Sequence, residues 1–544
     1  MVYRPDRRSL LIGAAFGLGA LATGGAASAL ELMMAKGFTH NVASGEPGPD
    51  TVLLWTRYVP SAGDDARLTV EVSKTTDFTK VIAGGTATAS QANDFTTRLT
   101  VTGLEPGQWY FYRFIAADGT KSPTGRTKTL PAGPTQRFGM AIFSCSNLPY
   151  GWFNAYGHAA ARDDIDLMVH VGDYIYEYQR GYYPGADQAV KDRIIEPDHE
   201  LLRLADYRLR YASYRCDPDL QKLHQFFPMI AQWDDHETAN DAWAHGAENH
   251  QPDEGDYDAR KAAAVKAYNE WLPVGGKTWS KFEIGDLATL FRPETRLTAR
   301  SERLDYGDIM GHSDNVARDL LTLHDKTLVD PTRTLMGSEQ EAWLYDGFAQ
   351  SVRSGTKWQI LAQEVVMGNM ISPHLPPSLL SDPRLSPQVS AYLKGTNAAA
   401  QLGLPVGLDN WGGFPAARAR LLKAAQSADA DLVVLSGDSH NAWAFDLGQD
   451  GKPAGVEFAG HSVTSPGYEE ALPLPPQAVA NILIGSSPEL KWAETSRRGY
   501  MALDLTPERV TGEWVFLDTI AGRSTATVPS RKMQVERGRR VFTA

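Results

Sequence analysis

Residues 167–177 read Leu167-Met168-Val169-His170-Val171-Gly172-Asp173-Tyr174-Ile175-Tyr176-Glu177: a short, mostly apolar run, a glycine, then acidic and aromatic side chains. A run this brief, apolar on both faces and closed by Gly-Asp, predicts a buried strand. The same grammar recurs. Phe138–Phe143 leads into Ser144-Cys145-Ser146-Asn147, and 432–435 into Ser436-Gly437-Asp438-Ser439-His440-Asn441. The run 226–230 leads into Trp233-Asp234-Asp235-His236-Glu237-Thr238-Ala239-Asn240-Asp241. Four strands therefore release ligand-type side chains just past their carboxyl ends, the edge of an α/β sheet where ligands bind.

Segments 200–214 and 260–271 repeat near every 3.6 residues, as helices do, and 360–362 is a further apolar run. Apolar runs alternating with helices predict an α/β domain with layered α-β-β-α architecture over residues 134–527. Residues 30–133 obey another rule. Leu68, Val70 and Val72 alternate with polar residues, Leu99 and Val101 repeat the pattern, and 109–115 is an aromatic strand. Turn signals at Leu104-Glu105-Pro106-Gly107 and Asp118-Gly119 separate them. This predicts an all-β sandwich of immunoglobulin or fibronectin type III character, bounded by Pro131, Gly133 and Pro134. Segment 382–409, rich in Pro, Gly and Ala, reads as a long surface excursion. The basic tail 528–544 reads as a lid folding back or as a solvated end.

At the N-terminus Arg7-Arg8-Ser9-Leu10-Leu11 precedes the apolar stretch 10–22, and Ala27-Ser28-Ala29 offers small residues for cleavage. That order predicts a twin-arginine signal over 1–29, read by the twin-arginine export machinery, and a periplasmic or secreted product with no stable membrane anchor. An anchor helix is the alternative, but the stretch is Gly-rich and short for a span. A net charge of −12 argues against a nucleic-acid-binding surface or an anionic-membrane binder. The two cysteines, Cys145 and Cys216, leave two readings: one disulfide, or Cys145 as a thiolate metal ligand with Cys216 alone.

The four loops suit a multi-metal site. Hard cations want several oxygen donors, and paired ions need a bridging carboxylate. Asp173 is the natural bridge, with an Asx-turn carboxylate as its structural alternative. Tyr176 can reach the same ion with its phenol or pack as an ordinary core aromatic. Asp235 and His236 can divide duties, the carboxylate binding metal and the imidazole serving as an acid–base or substrate group. Asp438 and His440, two apart on an extended segment, would share a face. Two misreadings are excluded. His236-Glu237-Thr238-Ala239-Asn240 has Asn where a zinc protease has its second His, and Gly460-His461-Ser462-Val463-Thr464 lacks the final Gly of a nucleophile elbow.

Together with Val42-Ala43-Ser44-Gly45-Glu46-Pro47, Leu54-Trp55-Thr56-Arg57 and Ser462-Val463-Thr464-Ser465-Pro466-Gly467, these segments resemble the PhoD-type alkaline phosphatases. These belong to the wider metallophosphoesterase family that includes the purple acid phosphatases. The resemblance implies a metallophosphoesterase-like catalytic domain, with Fe(3+) held by Cys145, Asp173, Tyr176 and His440. It also implies a Ca(2+)-containing site using Asp173, Asp235 and Asp438, where carboxylates in place of nitrogen ligands favour the harder cation. Gln363, at the end of 360–362, falls where related enzymes supply another metal-site side chain, and Asp234, Asn240 and Arg296 are further site candidates. Glu294-Thr295-Arg296 departs from the Asp-Thr-Arg expected of the family.

The function implied is that of an exported metal-dependent alkaline phosphatase, hydrolysing phosphate mono- or diesters through a metal-activated hydroxide. His236 would contact the substrate or protonate the leaving alkoxide. A phosphodiesterase or phospholipase D-like enzyme on the same site is the rival reading, and a non-catalytic envelope binding protein with an adhesive sandwich is a distant one.

Overall fold

The computed structural model describes residues 29–312 and 315–543. Apart from Ala29, the expected signal lies outside the described residues. Among the described residues, no helix is long and apolar enough to cross a membrane.

The strands Phe138–Phe143, Leu167–Val171 and Pro228–Gln232 pair in parallel at the centre of a ten-stranded sheet. A seven-stranded sheet faces it, with Ala288–Arg292, Trp358–Ala362 and Leu432–Ser436 in parallel at its centre. The apolar runs are continuous because their two faces serve different cores. Phe138, Met140, Ile142, Leu167, Val169 and Val171 meet Leu290, Ile360, Val433 and Leu435 between the sheets. Ala141, Phe143 and Met168 pack outward against helices Asn154–Ala160, Leu204–Arg215 and Pro218–Phe226. Leu361 and Val434 pack outward on the other side, under helices Gly337–Arg353 and Pro415–Ser427. This is the layered α-β-β-α arrangement that the sequence pattern implied.

The N-terminal strands form the expected sandwich. Gly37–Gly45, Val52–Val59 and Thr96–Val101 make one face; Asp65–Ser73, Val81–Ser90, Trp109–Ala116 and Gly125–Lys128 make the other. Val42, Leu54, Leu68, Val70, Tyr110 and Phe114 fill the space between them. The first face is also one end of the ten-stranded sheet. Ser44 and Gly45 pair in parallel with Pro228 and Met229, so backbone hydrogen bonding runs unbroken from the sandwich into the layered domain. Glu46 strengthens the junction by pairing with the buried Arg292.

Two expectations change. The basic tail is neither a lid nor a solvated end: Thr527–Glu536 pairs antiparallel with Arg509–Leu517 and extends the ten-stranded sheet. The excursion 382–409 is not merely surface. It carries the helix Pro387–Ala400, places Ala399, Leu404 and Leu408 in a small core with Tyr306 and Leu320, and returns to the site at Asp409.

Candidate metal centre and active site

The four loops converge where the carboxyl ends of their strands meet. Their backbones approach closely at two glycines. A Cβ at Gly172, whose φ is +101°, would lie 2.3 Å from Asp234 Cβ, and one at Gly437 would lie 2.6 Å from Ser144 Cβ. The side chains released there form a chain of three clusters, within each of which the ligand atoms lie within 4.8 Å of one another. These are Cys145 with Asp173 and His440, Asp173 with Asp235 and His236, and Asp234 with Asp235 and Asp438. Asp173 and Asp235 are the shared members. Tyr176 joins the first cluster, its hydroxyl donating to Asp173 Oδ2 at 3.0 Å and lying 3.2 Å from His440 Nε2.

Backbone conformation helps to aim these groups. Cys145, Asp173, Asp438 and His440 have φ of 58°, 55°, 59° and 59°. Left-handed backbone is uncommon for residues with a Cβ, and it concentrates at functional sites. The expectation that Asp438 and His440 share a face of an extended segment is therefore corrected. Two left-handed residues turn the chain, sending Asp438 to Asp235 and His440 to Cys145 and Asp173.

The donor set fits cations. Asp173 Oδ1, Asp234 Oδ2 and Asp235 Oδ1 are buried without a hydrogen-bond partner, an arrangement that is costly unless something positive faces them. His440 Nδ1 donates to the Pro466 carbonyl at 2.9 Å, which leaves Nε2 as the lone-pair nitrogen facing Tyr176 and Asp173. Burial, and then the nearby Asp173, push the Cys145 thiol and the Tyr176 phenol well above their ordinary values. Burial pushes Asp438 up to about 7, against the pull of Arg296. A multivalent cation reverses each of these preferences, favouring thiolate, phenolate and carboxylate together. The disulfide alternative is excluded: both cysteines are free, Cys145 in the centre and Cys216 donating to Ala212 O at 3.1 Å.

His236 sits between acids. Its Nδ1 lies 2.7 Å from Glu177 Oε2 and its ring packs 4.2 Å from that of Tyr176. Burial opposes the imidazolium, but Asp235, Glu177 and Asp173 outweigh it and hold His236 well above 6.5. Arg296, fully buried, pairs with Asp234, Asp409 and, at 3.1 Å, Asp438, with Asp235 at 3.7 Å. The unexpected Glu294 explains how Arg296 is placed. Its carboxylate accepts from Trp233 Nε1 at 3.0 Å and from the backbone N–H groups of Arg296, Leu297 and Thr298, shaping the loop around its longer arm.

Gln363 donates its amide to Val365 O and accepts from Trp411 Nε1 at 3.2 Å. Asn240 donates its amide to Glu248 and its backbone N–H to Glu177. Several participants went unflagged in the sequence. Glu177 orients His236. Glu237 accepts from the N–H groups of Asp173, Tyr174 and Asp234, holding two site loops together. Ser465 Oγ lies 2.7 Å from the Tyr176 hydroxyl and 3.0 Å from Cys145 O. Asp409 clamps Arg296 and Arg300. The one available signal was the place of Glu177 and Glu237 inside acidic loops after strands.

A family model described as PhoD-like phosphatase matches residues 140–514, and one for the N-terminal domain of PhoD-like phosphatases matches residues 25–131. The chain is 31% identical over 501 residues to alkaline phosphatase D of Bacillus subtilis (strain 168), covering 87% of this chain and 76% of that protein. A solved structure of PhoD superposes with a TM-score of 0.75 at 26% identity, covering 94% of this chain and 92% of the other. With the sandwich, the two facing sheets and the clustered loops all accounted for, the chain belongs to the PhoD-like phosphatase family.

Proposed function

We propose that this phosphoric ester hydrolase is exported and acts on phosphate mono- or diesters at a centre of Fe(3+) and Ca(2+). Cys145, Asp173, Tyr176 and His440 would hold the ferric ion, and Asp173, Asp235 and Asp438 the calcium. The observation that carries this reading is the linked series of clusters sharing Asp173 and Asp235, with orphaned carboxylate oxygens inside. A thiolate and a phenolate suit a trivalent ion, and an all-carboxylate set suits calcium. Export is supported by Arg7-Arg8 ahead of the apolar stretch 10–22. The division into signal 1–29, sandwich 30–133 and a catalytic domain from 134, which takes in the sheet strand Thr527–Glu536, is part of the same reading. The family-model bounds at 131 and 140 support its middle junction.

When bound, such cations supply positive charge to phosphoryl oxygens and make water more acidic. The chain's own residues do the rest. Glu177 engages His236 Nδ1, so Nε2 is the nitrogen left to donate a proton to the departing ester oxygen. Arg296 spaces Asp234 and Asp438 and is itself held by Asp409. Tyr176 and Ser465 fix the Asp173 and Cys145 loops against each other.

Elemental analysis of protein matured through its own export route, paired with monoester and diester assays, tests the proposal. Iron and calcium in the purified protein, with activity lost to a chelator and regained with the ions, are expected. A folded protein free of both metals and inactive on both ester classes would make it an envelope binding protein instead.

A further inference from the structure

The loops that carry Cys145 and Asp173 also carry a row of aromatic rings leading out of the centre. Tyr178 meets the His236 ring edge-on at 5.3 Å, and Tyr182 lies 5.2 Å beyond Tyr178. Tyr183 braces the row from beneath, 5.6 Å from Tyr178, 6.0 Å from Tyr176 and 5.1 Å from Tyr150. Exposure rises along it. His236 and Tyr150 are buried, Tyr178 and Tyr183 are half-buried, and Tyr182 is 65% exposed. Glu470 ties the base of the row to the segment after Pro466, accepting from Gln188 and from the Tyr150 hydroxyl.

The core tyrosines of this molecule behave differently. Tyr207 donates to Thr238 O at 2.6 Å, and Tyr174 lies 2.9 Å from His224 Nε2, both fully enclosed. This aromatic row instead starts at the His236 imidazole and ends in solvent.

We infer that Tyr178 and Tyr182 form a stacking shelf for the leaving group, so that the preferred esters carry a planar aromatic ring one sugar away from phosphorus, as a nucleoside 5′-phosphate does. The inference rests on the hydrolase reading, with His236 on the leaving-group side. Ring faces attract flat partners in offset or edge-on geometry, and base–aromatic stacking tolerates any base because each has a π face. The first ring-to-ring step, 5.3 Å from His236 to Tyr178, is a distance that a pentose can bridge, and Tyr182 extends the shelf beyond it. An aliphatic polyol would leave the row unused.

Adenosine 5′-monophosphate and ribose 5-phosphate present the same primary alkoxide and differ in the base, so their kcat/KM ratio isolates the shelf from leaving-group chemistry. The ratio is expected to favour the nucleotide by roughly three- to ten-fold, the size of one good ring contact. It should fall to about one in Tyr178→Ala and Tyr182→Ala and survive in Tyr182→Phe. A wild-type ratio of one, or a preference kept in both alanine variants, overturns the shelf. Saturation-transfer NMR on the same nucleotide separates this from the hydrolase reading. If neither ester turns over yet the base protons receive saturation in wild type and lose it in Tyr182→Ala, the hydrolase reading fails and the shelf stands. Base protons that receive none overturn the shelf whatever the turnover.

Discussion

Glu177 Oε2 lies 2.7 Å from His236 Nδ1, and both side chains are buried. The other carboxylate oxygen of Glu177 accepts from Asn240 N and Asn249 Nδ2, each at 2.8 Å. The acid is thus fixed from behind and can fix the imidazole in turn, the relation by which a carboxylate commonly sets the orientation and tautomer of a working histidine.

Replacing that acid should therefore cost turnover rather than metal. In Glu177→Gln the new amide must turn its NH2 either to the Asn240 and Asn249 donors or to His236 Nδ1, loosening the hold on His236. We expect kcat on an alkyl ester to fall about ten- to hundred-fold, within the range that general acid catalysis supplies. An aryl ester, whose leaving group needs less protonation, should lose less. Equal losses on the two esters would remove the proton-donor role.

The shared position of Asp173 makes a distinct claim about metal content. Asp173→Ala should lose both iron and calcium and nearly all activity, because the residue belongs to two adjoining clusters. Cys145→Ser should lower iron relative to calcium, since the thiolate belongs to one cluster alone. Elemental analysis of the two variants checks this. Normal iron in Cys145→Ser contradicts the ligand assignment.

Acid should destabilise the fold from below pH 6.5. Burial depresses His170 and His461 to about 3, and neither Nδ1 has a partner. The unfolded chain takes up these protons near 6.5 while the folded one does not until about 3, so stability is full above 6.5 and falls as pH drops through that window. Each such group contributes a slope of up to about 1.4 kcal/mol per pH unit. His461→Gln keeps a donor for Val515 O, which the imidazole reaches at 3.0 Å, and should flatten the slope by one proton. Urea midpoints at pH 5 and 7 measure it, and a slope equal to wild type would refute the assignment.

Asp409 should matter although it lies at the end of a poorly patterned excursion. It pairs with Arg296 and Arg300 together, and Arg296 is the cation spacing Asp234 from Asp438. Asp409→Asn should lower kcat/KM by about ten-fold through misplaced groups, with the metals retained. An unchanged kcat/KM would detach the excursion from the site.

Much of this centre was legible in the linear chain because burial and period are local properties. A five-residue apolar run such as Leu167–Val171 can only be hidden on both faces, and the residues after it must emerge at the sheet edge. Cys145, Asp173, Tyr176, Asp235, His236, Asp438 and His440 were all found this way, and the structure brings them into contact. Gln363 follows the same rule. Its place at a strand end was right, but its amide turned to Trp411 and Val365, because position along a strand does not decide which way the next residue points. Asp409 was invisible for the converse reason, since its partner Arg296 lies 113 residues away and no local pattern records it, and the loop position of Glu177 gave no sign of its partner His236, 59 residues on.

The amino-acid order by itself determined the alternation of buried strands and helices, the sandwich ahead of them and the polar loops at the sheet edge. Each of these depends on hydrophobic spacing over a few residues. Tertiary structure alone decided that the sandwich strand at Ser44 joins the ten-stranded sheet, that Glu294 shapes the loop carrying Arg296, and that Asp235, like Asp173, belongs to two clusters. Those outcomes depend on how separate layers pack and on left-handed turns at single residues, which fix directions in space that no periodicity along the chain contains.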